Sequence, residues 1–227
     1  VHSAGFTLVE LSVVLIILTL LITGVLFAKD FIEASKLISV IREQQNWQTA
    51  ITAFHTRYDD LPGDMIDATT YWSGANNGDG DGAIEWSVDS EGAQAWYQLE
   101  QAQAIPEYEL TGEAASRIAY VWENVPGSDY RPDACWTINN DSNFGNYVHI
   151  GQETASTACE GSLFSPRQAK RLDEKVDDGI PNTGQVRGTY GTNPACGTSG
   201  AYAYSGAGGD TIACTMQFVI TIGNTLQ

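Results

Sequence analysis

Two groups of residues in this 227-residue chain stand where they could do chemistry. The first is a single carboxylate, Glu10, in Phe6-Thr7-Leu8-Val9-Glu10, at the head of the uncharged run LSVVLIILTLLITGVLFA from Leu11 to Ala28. A carboxylate at the edge of an apolar segment is costly unless it snorkels to a membrane surface or meets a specific cation able to reach the bilayer. The second is Asn76-Asn77-Gly78-Asp79-Gly80-Asp81-Gly82-Ala83-Ile84-Glu85. With Asn77 as the first position, it matches the opening of an EF-hand-type loop: oxygen ligands at alternate residues, Gly sixth, an apolar residue eighth. Alternation places the side chains of Asn77, Asp79 and Asp81 around one point. The twelfth position is Val88 and not a bidentate Glu, so Glu85, Asp89 or Glu91 has to substitute. Glu91, at the start of the next helix, is the preferred one. The chemistry expected is coordination of calcium, with a solvated acidic turn as the alternative.

Cysteines 135, 159, 196 and 214 contain no Cys-x-x-Cys pair, so a zinc centre is not expected. Of the three disulfide connectivities, Cys135–Cys159 with Cys196–Cys214 is preferred because joining neighbours closes the smallest loops. Seven glycines fall within 188–209, five of them inside the second loop, with few apolar residues; a bridge there stabilises by about 3 kcal/mol in the chain-entropy model. No Gly-x-Ser-x-Gly, Walker, His-Glu-x-x-His or Rossmann pattern occurs, and His2, His55 and His149 are isolated. An enzyme is not expected. Asp177-Asp178 reads as an ordinary acidic turn ending a helix.

The elements that must position these groups begin with a helix. Leu11–Ala28 spans about 27 Å as an α-helix, close to the thickness of a bilayer core of about 30 Å. A secretory signal is the alternative, but a basic stretch should precede the run and small residues should follow it. Here Val1-His-Ser-Ala-Gly5 precedes it and Lys29-Asp-Phe-Ile-Glu33 follows. Beyond Lys29 the pattern turns amphipathic, with Ile32, Leu37, Ile38, Ile41, Trp47, Ala50, Ile51 and Phe54 at three- and four-residue steps, until Leu61-Pro62-Gly63-Asp64 stops it. One helix of about fifty residues, some 75 Å long, is the expectation. Residues 90–104 read as a short helix with Trp96, Leu99 and Gln103 along one side. Residues 166–176 read as another helix, capped by Ser165 with Pro166 at its first position and striped by Ala169, Leu172 and Val176. Arg117–Trp122, Asn146–Ile150 and Cys214–Ile222 alternate like strands. The fold class expected is α+β: a long N-terminal helix packed on an antiparallel β-sheet head with short helices.

Charge divides the chain in the same way. There are 28 acidic and 11 basic residues, a net charge of −17. Residues 1–57 are neutral, so the whole surplus lies in residues 58–227. That balance excludes a nucleic-acid binder, which needs a basic face.

Gly5-Phe6-Thr7-Leu8-Val9-Glu10-Leu11-Ser12, followed by the unbroken apolar run, resembles the cleavage and N-methylation motif of type IV pilins and type II secretion pseudopilins. The resemblance implies that a prepilin peptidase cuts after Gly5 and methylates the new amine of Phe6. Glu10 then becomes the fifth residue of the mature chain, and its carboxylate meets the N-terminal amine of a neighbouring subunit. The physical account agrees, since pairing a buried cation and anion offsets a cost neither bears alone and selects one axial register. The stub before Phe6 lacks the basic residues usual in the family's leader, as either a truncated chain or a misassigned start would leave it. The proline often found later in the arm is replaced by Phe27 and Ala28, so a smooth helix is expected, softened at most at Gly24. Calcium in the head and a disulfide-closed C-terminal loop also occur in the family.

The organisation expected is a leader remnant over 1–5, a membrane and filament-core helix over 6–28, its amphipathic continuation over 29–60, and an acidic head over 61–227. The function expected is a pilin of a type IV pilus-like filament, resident in the bacterial inner membrane and then part of an extracellular filament. A type II secretion pseudopilin in a periplasmic pseudopilus is the first alternative, and a membrane-anchored calcium-dependent binding module the second. The partners implied are further copies of the chain, the peptidase, inner-membrane assembly machinery and minor pilins.

Overall fold

The structure, a computed structural model, describes Gly5 and residues 7–86, 91–112, 118–155, 157–189, 196–198, 200–203, 209–222 and 225–226. Helix α1 runs unbroken from Leu8 to Tyr58, 51 residues, straight through Gly24. Thr7 caps it, and Asp59 closes it in the left-handed region (φ 58°) with its N–H on the carbonyl of His55. The turn at Leu61-Pro62 then prevents continuation. A single turn, α2 (Ala68–Tyr71), and helix α3 (Glu91–Gln101) follow, and α4 (Pro166–Val176) comes after the first strands. At the start of α4, Ser165 Oγ accepts from the Gln168 N–H while the Gln168 side chain accepts from the Ser165 N–H. This reciprocal cap satisfies two otherwise orphaned donors.

The main sheet is antiparallel throughout. Its strands are β1 (Gly127–Ser128), β2 (Arg131–Asp141), β3 (Gly145–Thr154), β4 (Thr157–Gly161), β5 (Val186–Thr189) and, after the short hairpin β6 (Gly197–Thr198) and β7 (Ala201–Tyr202), β8 (Thr215–Val219). The order is β1-β2-β3-β8-β5, with β4 folded back on the end of β3. A small ribbon of β9 (Thr221–Ile222) and β10 (Thr225–Leu226) ends the chain. Disulfides join Cys135 to Cys159 and Cys196 to Cys214. The first ties β2 to β4, and the second ties the β6–β7 hairpin to the start of β8.

Helix α1 meets the sheet through indole rings. Trp47 stands edge-on to Trp96 of α3 (5.1 Å between centroids) and to Trp136 of β2 (6.5 Å), and Trp136 packs on Phe218 of β8. Two polar ties fix the helix along this seam. The Glu43 carboxylate accepts from Trp136 Nε1 at 2.8 Å and from the Asp129 N–H at 3.1 Å, while Gln48 Nε2 donates to the Thr221 carbonyl at 2.7 Å.

Several details differ from the sequence reading. The buried stripe of α1 is Leu37, Val40, Trp47, Ala50, Ile51 and Phe54; Ile32 and Ile38 are exposed, and side chains of the helix become buried only from Leu37 onward. Helix α3 stops at Gln101, and Gln103 lies beyond it in the left-handed region (φ 57°), exposed. No strand runs through the described part of Arg117–Trp122. Val121 forms one isolated bridge to Val125, and Trp122 (φ 63°) turns the chain back on itself. The stretch Cys214–Ile222 is divided at Ile220 between β8 and β9, with Met216, Phe218, Ile220 and Ile222 all buried.

Candidate functional site: the acidic loop and the N-terminal motif

The acidic loop is built around a residue that the motif did not include. Asp64, in the stop turn after α1, is 2% exposed, and its two oxygens accept from the N–H groups of Gly80 (2.7 Å) and Gly82 (2.9 Å). Both glycines sit at positive φ, 74° and 88°, where a side chain would be strained, and this turns their N–H groups inward. Asp79 and Glu91 complete the group: one carboxylate oxygen from each of Asp64, Asp79 and Glu91 lies within 4.8 Å of the others. Glu91 opens α3 and accepts from the N–H groups of Asp79 and Glu85, both at 3.2 Å.

Burial pushes Asp64 above the usual carboxylate range. The same cause, ahead of the charges of Asp64 and Asp79, holds Glu91 up to about 7. Three crowded carboxylates with oxygen-only donors suit a hard divalent cation. The carboxylates that meet differ from the alternating set, since Asp64 is among them and Asp81 and Glu85 are not. Asn77 Oδ1 accepts from the Thr69 N–H and Asp81 Oδ1 from the Ala83 N–H, so each of these oxygens is engaged with backbone. Glu85 contributes its N–H and not its carboxylate. Val88 and Asp89 lie outside the described residues. The signal that could have found Asp64 is its place beside Pro62-Gly63, in a turn that brings it back toward the loop.

A second acidic group, Asp173, Asp177 and Asp178, closes the end of α4. Asp173 accepts from the Tyr202 hydroxyl (2.8 Å) and the Gly179 N–H (3.0 Å), Asp178 from Thr183 and Ile180, and Asp177 from the N–H groups of Gln185 and Val186. Each carboxylate is spent on structure, joining α4 to the turn after it and to β7. His149 is fully buried in β3, and burial alone lowers it to about 4, so it is neutral.

At the other end of the molecule, Glu10 is the third residue of α1 and caps it. Its Oε2 accepts from the Thr7 N–H and hydroxyl, both at 2.8 Å, and its own N–H donates to Thr7 Oγ1 at 3.2 Å. A carboxylate at a helix N-terminus also complements the helix dipole. Gly5 is exposed, and Phe6 lies outside the described residues. From Leu8 to Ile32 every described side chain of α1 is exposed, Phe27 at 71% and Phe31 at 77%. Among the described residues, α1 is the one helix long and apolar enough to cross a membrane.

Residues 2–26 match the family model of the prokaryotic N-terminal methylation motif. The chain carries a prepilin-type methylation motif. No curated protein and no solved structure matches it. The motif supports a type IV pilin-like or pseudopilin protein, a structural family and not an enzyme one, and it implies processing by prepilin peptidase and assembly into a pilus-like filament. With the apolar helix, it suggests a membrane-anchored protein that enters such a filament.

Proposed function

We propose that the chain is a pilin, a structural subunit of a type IV pilus-like filament. The observation that carries this reading is the uncovered apolar half of α1, which opens on the methylation motif and bears one carboxylate, Glu10, in its first turn. An apolar face of this size is stable only under lipid or under other copies of itself. Prepilin peptidase cuts after Gly5 and methylates the amine of Phe6, and the segment 6–28 then passes from the inner membrane into the filament core. There the amine of one copy meets Glu10 of the next. One oxygen of Glu10 already caps the helix, which leaves the other for that amine. The amphipathic segment 29–60 holds the head, 61–227, on the outside. Inner-membrane assembly machinery and minor pilins are the remaining partners.

A head of this size with two disulfides supports a surface pilus over a secretion pseudopilus. As part of the same reading, calcium occupies the acidic loop through Asp64, Asp79 and Glu91, replacing the ligand set Asn77, Asp79, Asp81, Glu85 and Glu91 expected from spacing alone. The mass of the mature N-terminus tests the assignment: a chain starting at methylated Phe6 is expected, and one retaining Gly5 in its native cell overturns it. Electron microscopy of material sheared from cells should show long surface fibres containing the chain. Their absence from an actively secreting strain assigns it to a pseudopilus.

A further inference from the structure

Three of the eleven basic residues of this acidic protein, Lys29, Lys36 and Arg131, meet at the base of the head. A groove of about 310 Å³ opens where the head first touches α1, lined by Lys29, Ile32, Lys36, Tyr130, Arg131 and Gln168, together with Glu33. Its size is at the lower end of small-molecule sites. Lys29 and Lys36 are two turns apart on one face of the helix, about 10 Å along its axis, and both are exposed. Among the described residues neither enters an ion pair.

The acids nearby are largely engaged. Glu33 accepts from Gln168 Nε2 at 3.1 Å and lies 3.6 Å from Arg171 of α4. Asp133 is held by Nε and Nη2 of Arg131 at 2.6 and 2.7 Å, which leaves the third guanidinium nitrogen outside that pair. Asp30 lies about 100° around the helix from Lys29. The groove therefore presents two lysine ammoniums and part of a guanidinium, with the Glu33 carboxylate shared with Gln168 and Arg171, beside one exposed apolar side chain, Ile32.

Its height is set by the helix. Ala28 ends the uncharged run, so Lys29 enters the headgroup layer, which is about 5–8 Å deep on each side of the hydrocarbon. Lys36 stands just above that layer. Lysines at such a position reach back to the interface and attract anionic lipid.

We propose that this groove seats the headgroup of an anionic phospholipid while the chain resides in the membrane, an inference that rests on the membrane-anchored reading above. The phosphodiester lies between Lys29 and Lys36 from the helix and Arg131 from the head, with Ile32 at the same level. The contact holds the base of the head against the bilayer, and with it the orientation in which the strongly acidic remainder points away. Extraction into a filament then requires that the headgroup be released.

The test uses the full chain in vesicles of phosphatidylcholine mixed equally with phosphatidylglycerol, probed with spin-labelled forms of each lipid. The immobilised fraction should favour phosphatidylglycerol by on the order of fivefold. High salt, Lys29→Gln/Lys36→Gln and Arg131→Gln should each reduce that preference. Equal immobilisation of the two lipids by the wild-type chain overturns the proposal, as does a preference insensitive to the lysine pair. A preference that falls with the lysines but not with Arg131→Gln also overturns it, because the helix cations then act without a groove. Flotation with the vesicles keeps the two readings apart: a chain that does not float at all contradicts membrane anchoring itself. Acylation of Lys36 that is blocked in filaments but indifferent to vesicle composition assigns the groove to a neighbouring copy and overturns the lipid assignment.

Discussion

Phe27 and Phe54 belong to one unbroken helix, yet the first is 71% exposed and the second 1%. The backbone is the same in both places; what differs is what covers it. Around Phe54 the helix is held by packing, with Tyr58 and Trp72 against the ring, the indoles of Trp47, Trp96 and Trp136 farther down, and the Glu43 and Gln48 ties to the sheet. Around Phe27 no described residue of the head covers the helix, and the neighbouring side chains are apolar and exposed. A surface that accepts any close-packed apolar neighbour suits lipid first and identical helices later. A surface of fitted rings and placed carboxylates suits one partner, its own head. The two halves are therefore built for different numbers of partners.

The sharpest way to break this comparison is to make the same substitution in both halves. Phe54→Ala should cost about 3–5 kcal/mol of head stability through the cavity it leaves. Phe27→Ala should stay within about 0.5 kcal/mol. Both are read by denaturation of the detergent-solubilised full chain, followed by tryptophan fluorescence. Equal costs would mean that the apolar half is covered in the monomer after all.

A smaller effect separates the two carboxylates of α1. Glu43→Ala leaves the buried Trp136 N–H without an acceptor and should cost about 1–3 kcal/mol, with no new assembly phenotype beyond that of a weakened head. Glu10→Ala should leave the melting of the head unchanged and remove filaments from the cell surface. Normal filaments in that variant would refute the assembly role of Glu10.

The smallest effect is a slope with pH. With calcium chelated, Glu91 is held up to about 7 by burial, against an ordinary value of 4.5, so the folded head binds that proton more tightly than the unfolded chain does. Its contribution to stability is full below about 4.5 and is lost as pH rises toward 7. The melting temperature of the wild type should therefore fall relative to Glu91→Gln across that window. Added calcium should reverse the trend, because the cation favours the ionised carboxylates. Parallel curves, with and without calcium, would return the loop to a solvated acidic turn.

What was legible in the sequence was whatever is local. The apolar run, the stop at Pro62-Gly63 and the Ser165-Pro166 start of α4 each depend on residues a few positions apart, and each element formed with bounds near those expected. Strand β2 was not legible. Arg131-Pro132-Asp133 and Asn139-Asn140-Asp141 dilute its pattern, and its centre is buried on both faces, so no alternation appears. Trp136 meets α1 while Cys135 and Thr137 meet Cys159 and Ala158 of β4. The Arg117–Trp122 stretch differs in the opposite direction: among its described residues, 118–122, alternation meets no neighbouring strand beyond the bridge from Val121 to Val125.

The same division holds for the sites. The N-terminal motif is contiguous, and its chemistry needs only a helix and an apolar surrounding, so the sequence by itself determined Gly5, Phe6 and Glu10 as the residues to watch. The acidic cluster and the basic groove depend on distance through space. Asp64 reaches Asp79 and Glu91 only because two glycines turn their N–H groups toward it, and Arg131 reaches the level of Lys29 and Lys36 only because β2 begins beside the middle of α1. Spacing along the chain carries no record of such approaches. They are decided when the sheet packs on the helix, since only then are residues a hundred positions apart brought within reach of one charge.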